Sequence, residues 1–363
     1  MKLGIMTFPN SDSYGATLQM YALYHTVQKL GVQPEIIHYH NSYMKALHHT
    51  AAMQGTGRAK RTLRLMAKKL MHCKQERRFR RFERQMALYP KRLISRHEDL
   101  LRLKDRYDGV ICGSDQVWNP DITGGDMSYF LDFCGAHTKR IAYAPSFGIE
   151  EFSPAFKAGI RPHLQQFHAL SVRETPGRKL VEELTEKTVP VVLDPTFLLP
   201  QQDWEQLEQP HAAGNGDYIL YYRVRRSDSL TNFCLEKARE QGLKVVFIGG
   251  NPIKQLKNKQ MEYAYDLSPG QLLYLIHHAR YVVTNSFHGM AFSIHYKRDF
   301  FLELPSVANS RLQQLVEATG LQDRVIGPDC AAVDSPVDYD RVYQRIEPER
   351  ERSLNYLKEA ITK

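Results

Sequence analysis

Short apolar runs alternate with longer amphipathic stretches along the 363-residue chain. Runs rich in β-branched and aromatic residues predict strands, whereas apolar positions three and four apart predict the helices between them. This alternation is typical of α/β proteins, in which helices cover both faces of a parallel sheet. The predicted strands are residues 3–8, 34–40, 108–113, 140–146, 170–173, 189–193, 218–224, 245–249, 281–284 and 300–304.

A stretch punctuated by proline and glycine, residues 200–216, separates two series of these elements. Because a chain of this length exceeds what one hydrophobic core usually carries, two domains are expected. We predict an N-terminal domain at 1–199 and a C-terminal domain at 217–336. We also predict a terminal helix at 337–363 that packs back on the N-terminal domain.

Composition changes this picture little. Apolar residues make up 42% of the chain and charged residues 25%, which is ordinary for a globular protein. The opening MKLGIMTF is too short for a signal peptide, and no apolar run approaches 18 residues, so a cytoplasmic protein is expected. The five cysteines form no C-x-x-C pair and the 15 histidines are scattered, so we expect reduced thiols and no metal site.

The net charge of +9 has one source. Residues 58–84 contain 12 Lys/Arg and two Glu, a net of +10, so the remaining chain is nearly neutral and a nucleic-acid partner is not expected. A helix is predicted at about 58–88. Its cationic face is either simply solvated or attracted to an anionic surface such as the cytoplasmic face of the inner membrane.

Two nucleotide-binding fingerprints and one hydrolase fingerprint are absent: G-x-x-x-x-G-K-[ST], a G-x-G-x-x-G after a strand, and G-x-S-x-G. Ligands of doubly wound sheets bind beyond the carboxyl ends of the strands. Residues that bind ligand or take part in catalysis are therefore expected in the loops at those ends.

Two of these loops carry residues suited to sugar binding. In PNSDSYGATLQ, capping residues precede Tyr14 and Gly15, and the amide-rich helix start suits an anionic or sugar ligand. In ICGSDQVWNPD, a carboxylate, an amide and an indole follow a buried strand as Asp115, Gln116 and Trp118. The polar pair can bind hydroxyls and the indole can pack on a sugar ring, although Trp118 can equally be a core residue.

Two other loops carry candidates for anion binding and proton transfer. Arg173 closes a buried strand, where its planar guanidinium suits a carboxylate or phosphate; a salt bridge to Glu174 or Asp194 is the alternative. In TNSFHGM, His288 stands at a predicted helix start. Asn285 and Ser286 beside it are expected to bind a ligand through their hydrogen-bond donors, and Gly289 would let that ligand approach. Because imidazole donates and accepts protons near neutral pH, His288 is a candidate catalytic residue.

With these motifs in hand, the chain resembles the polysaccharide pyruvyl transferase family over nearly its full length. The resemblance rests on SYGATLQMYAL, YDGVICGSDQVWNP, YFLDF, RIAYAPSFG, LSVRE, VVLDPTFLL, YVVTNSFHGMAFSI and NSRLQQLVEATGLQDR. It implies an α/β, GT-B-like fold, with two Rossmann-like domains facing across a cleft. It also implies transfer of the enolpyruvyl group of phosphoenolpyruvate to a sugar of a cell-surface polysaccharide or its lipid-linked precursor, forming a pyruvate ketal and releasing phosphate.

The resemblance also implies residue roles. Arg173 would grip phosphoenolpyruvate, which serves as a co-substrate with no other cofactor, and His288 would act at its enol ether. Our own hypothesis adds Asp115 as a second catalytic group, a candidate base for the sugar hydroxyl. Some relatives carry arginine where this chain has Ser286, and Arg223 or Arg311 could replace that cation.

Two rival functions share these residues. One is a GT-B-type glycosyltransferase that uses a nucleotide sugar, because the fold alone does not separate the two chemistries. The other is a non-catalytic glycan-binding protein. The arginine and histidine at separate strand ends favour an enzyme over the second rival, since sugar binding alone requires neither an anion clamp nor a proton carrier.

Overall fold

The computed structural model describes residues 1–44, 74–249, 260–305, 310–327 and 335–363. They form two compact units: the first contains Met1–Leu198 and Glu349–Lys363, and the second contains Leu199–Pro348. Each unit holds one parallel sheet with its own buried apolar core. The two series of elements predicted from the sequence correspond to these two sheets.

The first unit is built on a five-stranded sheet with the order β3-β2-β1-β4-β5. Every pairing in it is parallel. The strands are β1 Lys2–Met6, β2 Gln33–Tyr39, β3 Leu88–Ile94, β4 Gly109–Cys112 and β5 Lys139–Ala142. The helices are α1 Tyr14–Lys29, α2 His97–Leu100, α3 Pro120–Thr123, α4 Pro154–Leu164 and α5 Thr175–Thr185, and residues 74–83 are also helical.

The second unit is built on a six-stranded parallel sheet with the order β11-β10-β9-β6-β7-β8. Its strands are β6 Tyr218–Tyr222, β7 Lys244–Ile248, β8 Met261–Tyr263, β9 Tyr281–Thr284, β10 Phe300–Glu303 and β11 Val325–Ile326. Its helices are α6 Gln201–Glu205, α7 Asp228–Gln241, α8 Pro269–His277, α9 Phe287–His295 and α10 Ser310–Thr319.

The last helix, α11 (Tyr339–Thr362), contributes residues to both units. In its first half the Tyr343 hydroxyl donates to the Ile294 carbonyl at 3.2 Å. In its second half the Ser353 hydroxyl accepts from the Leu193 amide at 3.0 Å, and the Tyr356 hydroxyl donates to the Ala142 carbonyl at 2.9 Å. These bonds explain why residues from Glu349 onward group with the first unit.

Each sheet has one point where the strand order reverses. In the first unit the chain runs outward from β1 to β3 and returns to place β4 on the other side of β1. In the second unit it runs outward from β6 to β8 and returns to place β9 beside β6. Ligands of doubly wound sheets bind beyond the strands at such switch points. Ligands are therefore expected at the loops after β1, β4, β6 and β9.

Several predicted elements were wrong. Residues 170–173 and 189–193 form no strand; their pairing is limited to isolated bridges such as that between Val172 and Val191. Pro190 lies within the second run and Pro195 follows it closely, and proline cannot donate to a ladder. The helix predicted to about residue 88 ends at 83 in the described part, and β3 begins at Leu88.

Three strands were missed: β3, β8 and β11. All are short or polar and lie outside the sheet centres. Strands in such positions bury less surface and carry a weaker apolar pattern than central parallel strands. The missed β3 matters most, because it forms one wall of a pocket in the first unit.

Candidate functional site

The loop after β4 is shaped by its own polar residues. Asp115 has a left-handed backbone conformation with φ of 75°. Its carboxylate accepts the Gln116 amide at 2.9 Å, and its carbonyl accepts the Ser146 amide at 2.8 Å. The Gln116 side-chain oxygen accepts from Asn119 at 2.9 Å. Both predicted sugar-binding residues remain half-buried at this strand end.

The structure corrects the prediction that Trp118 packs on a sugar ring. Its side chain is fully buried and its indole stacks on Phe130, with centroids 5.1 Å apart and planes 8° apart. Phe147 and Phe167 cover other sides, and the indole N–H donates to the Tyr129 carbonyl at 3.0 Å. An indole that stacks on a sugar must expose one ring face. Trp118 exposes none, so it is a core residue, as the alternative interpretation of the sequence held.

Arg173 forms the salt bridge that the sequence offered as the alternative to ligand binding. Its Nη1 lies 2.8 Å from Asp194 Oδ2, and the two side chains are 2% and 0% exposed. Nη1 also donates to the Ser114 hydroxyl at 3.4 Å, and that hydroxyl donates to the same carboxylate at 3.3 Å. A ligand at Arg173 would have to compete with Asp194, so its phosphoenolpyruvate role stays a prediction.

Tyr14 and Gly15 begin α1, next to the loop after β1. Ser13 caps the helix by accepting the Ala16 amide at 3.4 Å. The Tyr14 ring packs on Phe79 with centroids 5.0 Å apart, and Gly15 is buried. The structure thus brings Tyr14 into contact with the helical segment 74–83.

At the second unit's switch point, the Asn285 side chain joins the loops after β6 and β9. Its oxygen accepts the amides of Val224 and Arg225 at 3.0 and 3.3 Å, and its nitrogen donates to the Arg225 carbonyl at 2.9 Å. All its polar groups therefore bind protein backbone. This position was predicted to touch ligand, but in the structure it braces the loop that carries Arg223, Arg225 and Arg226.

Local structure explains why serine and glycine occupy positions 286 and 289. The Ser286 hydroxyl caps α9 by accepting the Gly289 amide at 3.3 Å. A Cβ on Gly289 would lie 2.4 Å from the Thr284 hydroxyl. The glycine therefore allows α9 to approach β9, and this close approach accounts for it without a ligand.

His288 is the second residue of α9 and is 8% exposed. Its ring meets Phe287 edge to face, with centroids 5.2 Å apart. Beneath the cap, burial raises the pKa of Tyr222 to about 12, although its hydrogen bond with Ser286 lowers it in part. The tyrosine therefore stays protonated at neutral pH beside the start of the helix that carries His288.

The two cations named as substitutes lie on different elements of the second unit. Arg223 Nη1 donates to the Thr231 hydroxyl at 3.2 Å, and its guanidinium carbon lies 5.1 Å from the Phe247 ring centroid. Arg311 is half-buried in the first turn of α10. Arg225, which the sequence analysis did not single out, is exposed on the loop that Asn285 braces.

Three residues that were not expected to hold a metal lie together. Potential ligand atoms of Glu208, His277 and His278 lie within 4.8 Å of one another. His277 Nδ1 lies 2.7 Å from a Glu208 oxygen, a hydrogen-bond distance, and His278 Nδ1 donates to the Tyr274 carbonyl at 2.9 Å. Hydrogen bonds of the fold thus explain this cluster.

The basic segment 58–84 lies partly outside the described residues, which resume at 74. In the described part, Phe79 packs on Tyr14 and Phe82 on Tyr21, with centroids 5.0 and 5.3 Å apart. These apolar side chains are buried within the first unit, so they are not presented to a membrane. No helix in the described ranges is both long enough and apolar enough to cross a bilayer.

Three residues that were not predicted from the sequence, His38, His40 and Glu83, line a pocket beside the loop after β1. A signal was present: the strand run PEIIHYH ends in two histidines at its carboxyl end. Applying the strand-end rule to this strand as well would have selected the two histidines, but not Glu83, which lies on a helical segment.

Solved structures similar to this chain include nucleotide-sugar enzymes. S. aureus MnaA, solved with UDP, is 12% identical over 99% of this chain and 91% of its own, with a TM-score of 0.50. The UDP-GlcNAc 2-epimerases of Neisseria meningitidis, bound to UDP-GlcNAc, and of Rickettsia bellii are 12% and 9% identical. Each match covers 99% of this chain and 94% of the other, with TM-scores of 0.52 and 0.51.

At such identities the likeness concerns the fold alone, and it shows that this is an α/β protein of the GT-B type with two Rossmann-like domains. Residues 14–302 match the model of the family described as polysaccharide pyruvyl transferase, and the chain belongs to that family. No curated protein matches the chain significantly. The fold class and family predicted from the sequence are confirmed.

Proposed function

We propose that the protein transfers the enolpyruvyl group of phosphoenolpyruvate to a sugar of a cell-surface polysaccharide or its lipid-linked precursor. The product is a pyruvate ketal and phosphate is released. The observation that carries this proposal is the family match over residues 14–302, which includes the loops after β4, β6 and β9. Phosphoenolpyruvate is a co-substrate, and the reaction requires no further cofactor.

The start of α9 is the proposed phosphoenolpyruvate site. Amides in the first turn of a helix and its positive dipole end favour an anion. Asn285 lies just before this helix start, and its side chain holds the loop that carries Arg223 and Arg225 beside the helix. Arginines on a braced loop beside a helix N-terminus suit a ligand that carries both a carboxylate and a phosphate. Arg311 on α10 is a further candidate cation.

His288 is the proposed general acid. The methylene carbon of phosphoenolpyruvate must gain a proton so that C2 becomes electrophilic and a sugar hydroxyl can add to it. A second hydroxyl then bonds C2 and phosphate leaves with the C–O electron pair. An imidazole in the first turn of α9 stands beside the proposed anion site and can supply the first proton.

The first unit is proposed to hold the acceptor sugar. Asp115 and Gln116 offer half-buried polar groups at the carboxyl end of β4, and Tyr14 and Gly15 lie at the helix that follows β1. We propose Asp115 as a candidate base for a hydroxyl. Contact of residues 58–84 with an anionic inner membrane surface would bring a lipid-linked acceptor close, and it remains part of the proposal.

Ligand binding tests the donor before any acceptor is known. We expect phosphoenolpyruvate to raise the melting temperature of the wild-type protein, whereas UDP-GlcNAc leaves it unchanged. A shift with UDP-GlcNAc alone would instead favour a glycosyltransferase that uses a nucleotide sugar, in keeping with the nucleotides named for the similar structures. Inorganic phosphate serves as the control, because a general anion effect would appear with it as well.

Turnover tests the reaction itself. The enzyme is incubated with phosphoenolpyruvate and a panel of methyl pyranosides with neighbouring hydroxyls free, and released phosphate and the mass of a pyruvate ketal are measured. In D₂O the new methyl group should contain deuterium, because its third hydrogen comes from the proposed acid. Phosphate release with no ketal, or glycoside binding with no turnover, would contradict the proposal.

A further inference from the structure

A pocket of about 840 Å³ lies in the first unit where β1 and β2 end. The loop after β1 contributes residues 10–12, and the end of β2 contributes His38 and His40. The helical residues 74–83 and β3 line the remaining sides. Asp115 is not among its lining residues, and the proposed roles of His288 and Asp115 do not involve its polar groups.

Hydrogen bonds organise the polar wall of this pocket around Asn10. His38 Nδ1 lies 3.0 Å from the Pro90 carbonyl, which can only accept, so Nδ1 carries a proton. His38 Nε2 lies 2.5 Å from the Asn10 side-chain nitrogen, and burial lowers the pKa of this histidine. A neutral His38 therefore accepts from Asn10 through Nε2 and fixes its orientation.

Asn10 in turn holds Glu83. Asn10 has a left-handed backbone conformation with φ of 54°, and its backbone N–H donates to Glu83 Oε1 at 2.9 Å. Glu83 is 2% exposed, and burial raises its pKa to about 7. The hydrogen bond from Asn10 and the charge of Arg80 act against this rise, and Asp12 adds to it. This carboxyl can therefore exchange a proton at neutral pH, and the proposed steps at His288 and Asp115 do not involve it.

The rest of the lining favours a neutral, hydroxylated ligand over a polyanion. Arg80, Arg84 and Lys91 are offset by the carboxyl groups of Asp12, Glu76 and Glu83, so no strong anion attraction results. The apolar side chains are Phe79, Met86, Leu88 and Leu93. Polar groups can bind the hydroxyls of a pyranose while a neighbouring apolar surface packs against the C–H face of its ring. This lining therefore suits a pyranose.

We propose that this pocket binds the acceptor sugar and that Glu83 accepts the proton of its attacking hydroxyl. The assignment rests on the proposed function and extends it. As the hydroxyl oxygen bonds C2 of the enolpyruvyl group, its proton passes to the Glu83 carboxylate. Glu83 then gives that proton to the departing phosphate. The proton of the second hydroxyl, for which Asp115 is the proposed base, replaces through solvent the proton that His288 gave to the methylene carbon, so all three groups return to their starting states. His38 and Asn10 are positioning residues that hold the carboxylate in place.

Glu83→Gln is the central variant, because it keeps the shape and removes the proton acceptor. We expect kcat to fall by about 10²–10⁴-fold while KM for phosphoenolpyruvate is unchanged. The wild-type rate should rise with pH through about 7, and this limb should be absent in the variant. The other groups facing Glu83 that could titrate or shift this limb are Asp12, His38, His40, Glu76, Arg80, Arg84 and Lys91.

Glu35→Gln is the matched control, because Glu35 lies at the opposite end of β2 and pairs with Arg106 at 2.9 Å. We expect it to retain both kcat and the pH limb. A Glu83→Gln enzyme with near-normal kcat would overturn the assignment. So would a variant that loses activity yet retains the full pH limb, since a structural role alone would not move that limb.

Sugar binding is tested without phosphoenolpyruvate. Saturation-transfer NMR with methyl pyranosides should detect binding to the wild type and to Glu83→Gln, but not to Leu93→Trp, which fills the pocket. Binding that survives Leu93→Trp would overturn the pocket assignment. Binding that this variant abolishes supports the pocket even if phosphoenolpyruvate is never turned over, so the pocket and the proposed function fail separately.

Discussion

The two switch points have the same topology, but a neutral side chain holds the loops at one and a charged side chain holds them at the other. In the second unit a neutral side chain, Asn285, braces the arginine-bearing loop through three hydrogen bonds to its backbone. In the first unit the arginine itself is the brace, because Arg173 is buried against Asp194. A neutral clamp leaves the side chains of its loop exposed to ligands, whereas a buried ion pair engages its own cation. This contrast supports the proposal that the anionic substrate binds to the second unit.

Loss of the proposed acid should give the largest effect. His288→Gln is expected to lower kcat for ketal formation by about 10²–10⁴-fold, because the methylene carbon then lacks its proton donor. Phosphate release and ketal mass are measured together. His295→Gln is the control, since His295 is a buried histidine at the other end of the same helix. Equal losses in the two variants would indicate a packing effect and count against the catalytic role.

Removing the buried arginine tests the first unit's brace. Arg173→Met should lower the free energy of unfolding by about 3–5 kcal/mol, because it leaves the Asp194 charge buried without its partner. The measurement is urea unfolding. Adding Asp194→Asn should recover most of the loss, since the amide carries no charge and can still accept from Thr196. If the double variant were as unstable as the single one, the buried charge would not be the cause.

Glu83 should make stability depend on pH. Its folded pKa of about 7 lies above the ordinary 4.5, so the folded protein holds the proton more tightly than the unfolded chain. The resulting stabilisation is complete below about pH 4.5 and is lost as pH rises through about 7, a change of about 3 kcal/mol.

The difference in unfolding free energy between wild type and Glu83→Gln, followed from pH 4.5 to 8, isolates this carboxyl from the histidines. We expect the variant to gain stability relative to the wild type as pH rises. A difference independent of pH would show that Glu83 ionises normally in the folded protein.

Breaking the neutral clamp should have the smallest effect on stability. Asn285→Ala is expected to cost about 1–3 kcal/mol, because it leaves backbone groups of Val224 and Arg225 without their partner. It should also raise KM for phosphoenolpyruvate, since the arginine loop is no longer braced. Asn41→Ala is the matched control: Asn41 is also buried and donates to the Thr123 carbonyl at 2.7 Å, but in the first unit. An equal rise of KM in both variants would contradict the clamp.

Predictions from local pattern succeeded where a segment determines its own structure. The boundaries of β9 and the start of α9 agree with the sequence, because a β-branched run, a capping serine and a helical run follow one another in VVTNSFHGMAF. The same pattern misled for Trp118, whose place after a strand suggested a ligand. Burial depends on the phenylalanines that surround it, which come from later parts of the chain.

By itself the sequence determined the α/β alternation, the two series of strands, the family, and the loops on which His288 and Asp115 stand. Strand order determined the rest, because it brings together residues that are distant along the chain. Asp194 meets Arg173, Asn285 meets Arg225, and Glu83 meets Asn10 only after the parallel strands are arranged side by side. Hydrophobic periodicity records which face of an element is buried, but it does not record which element lies beside it. For that reason the pocket around Glu83 was recognised only in the tertiary structure.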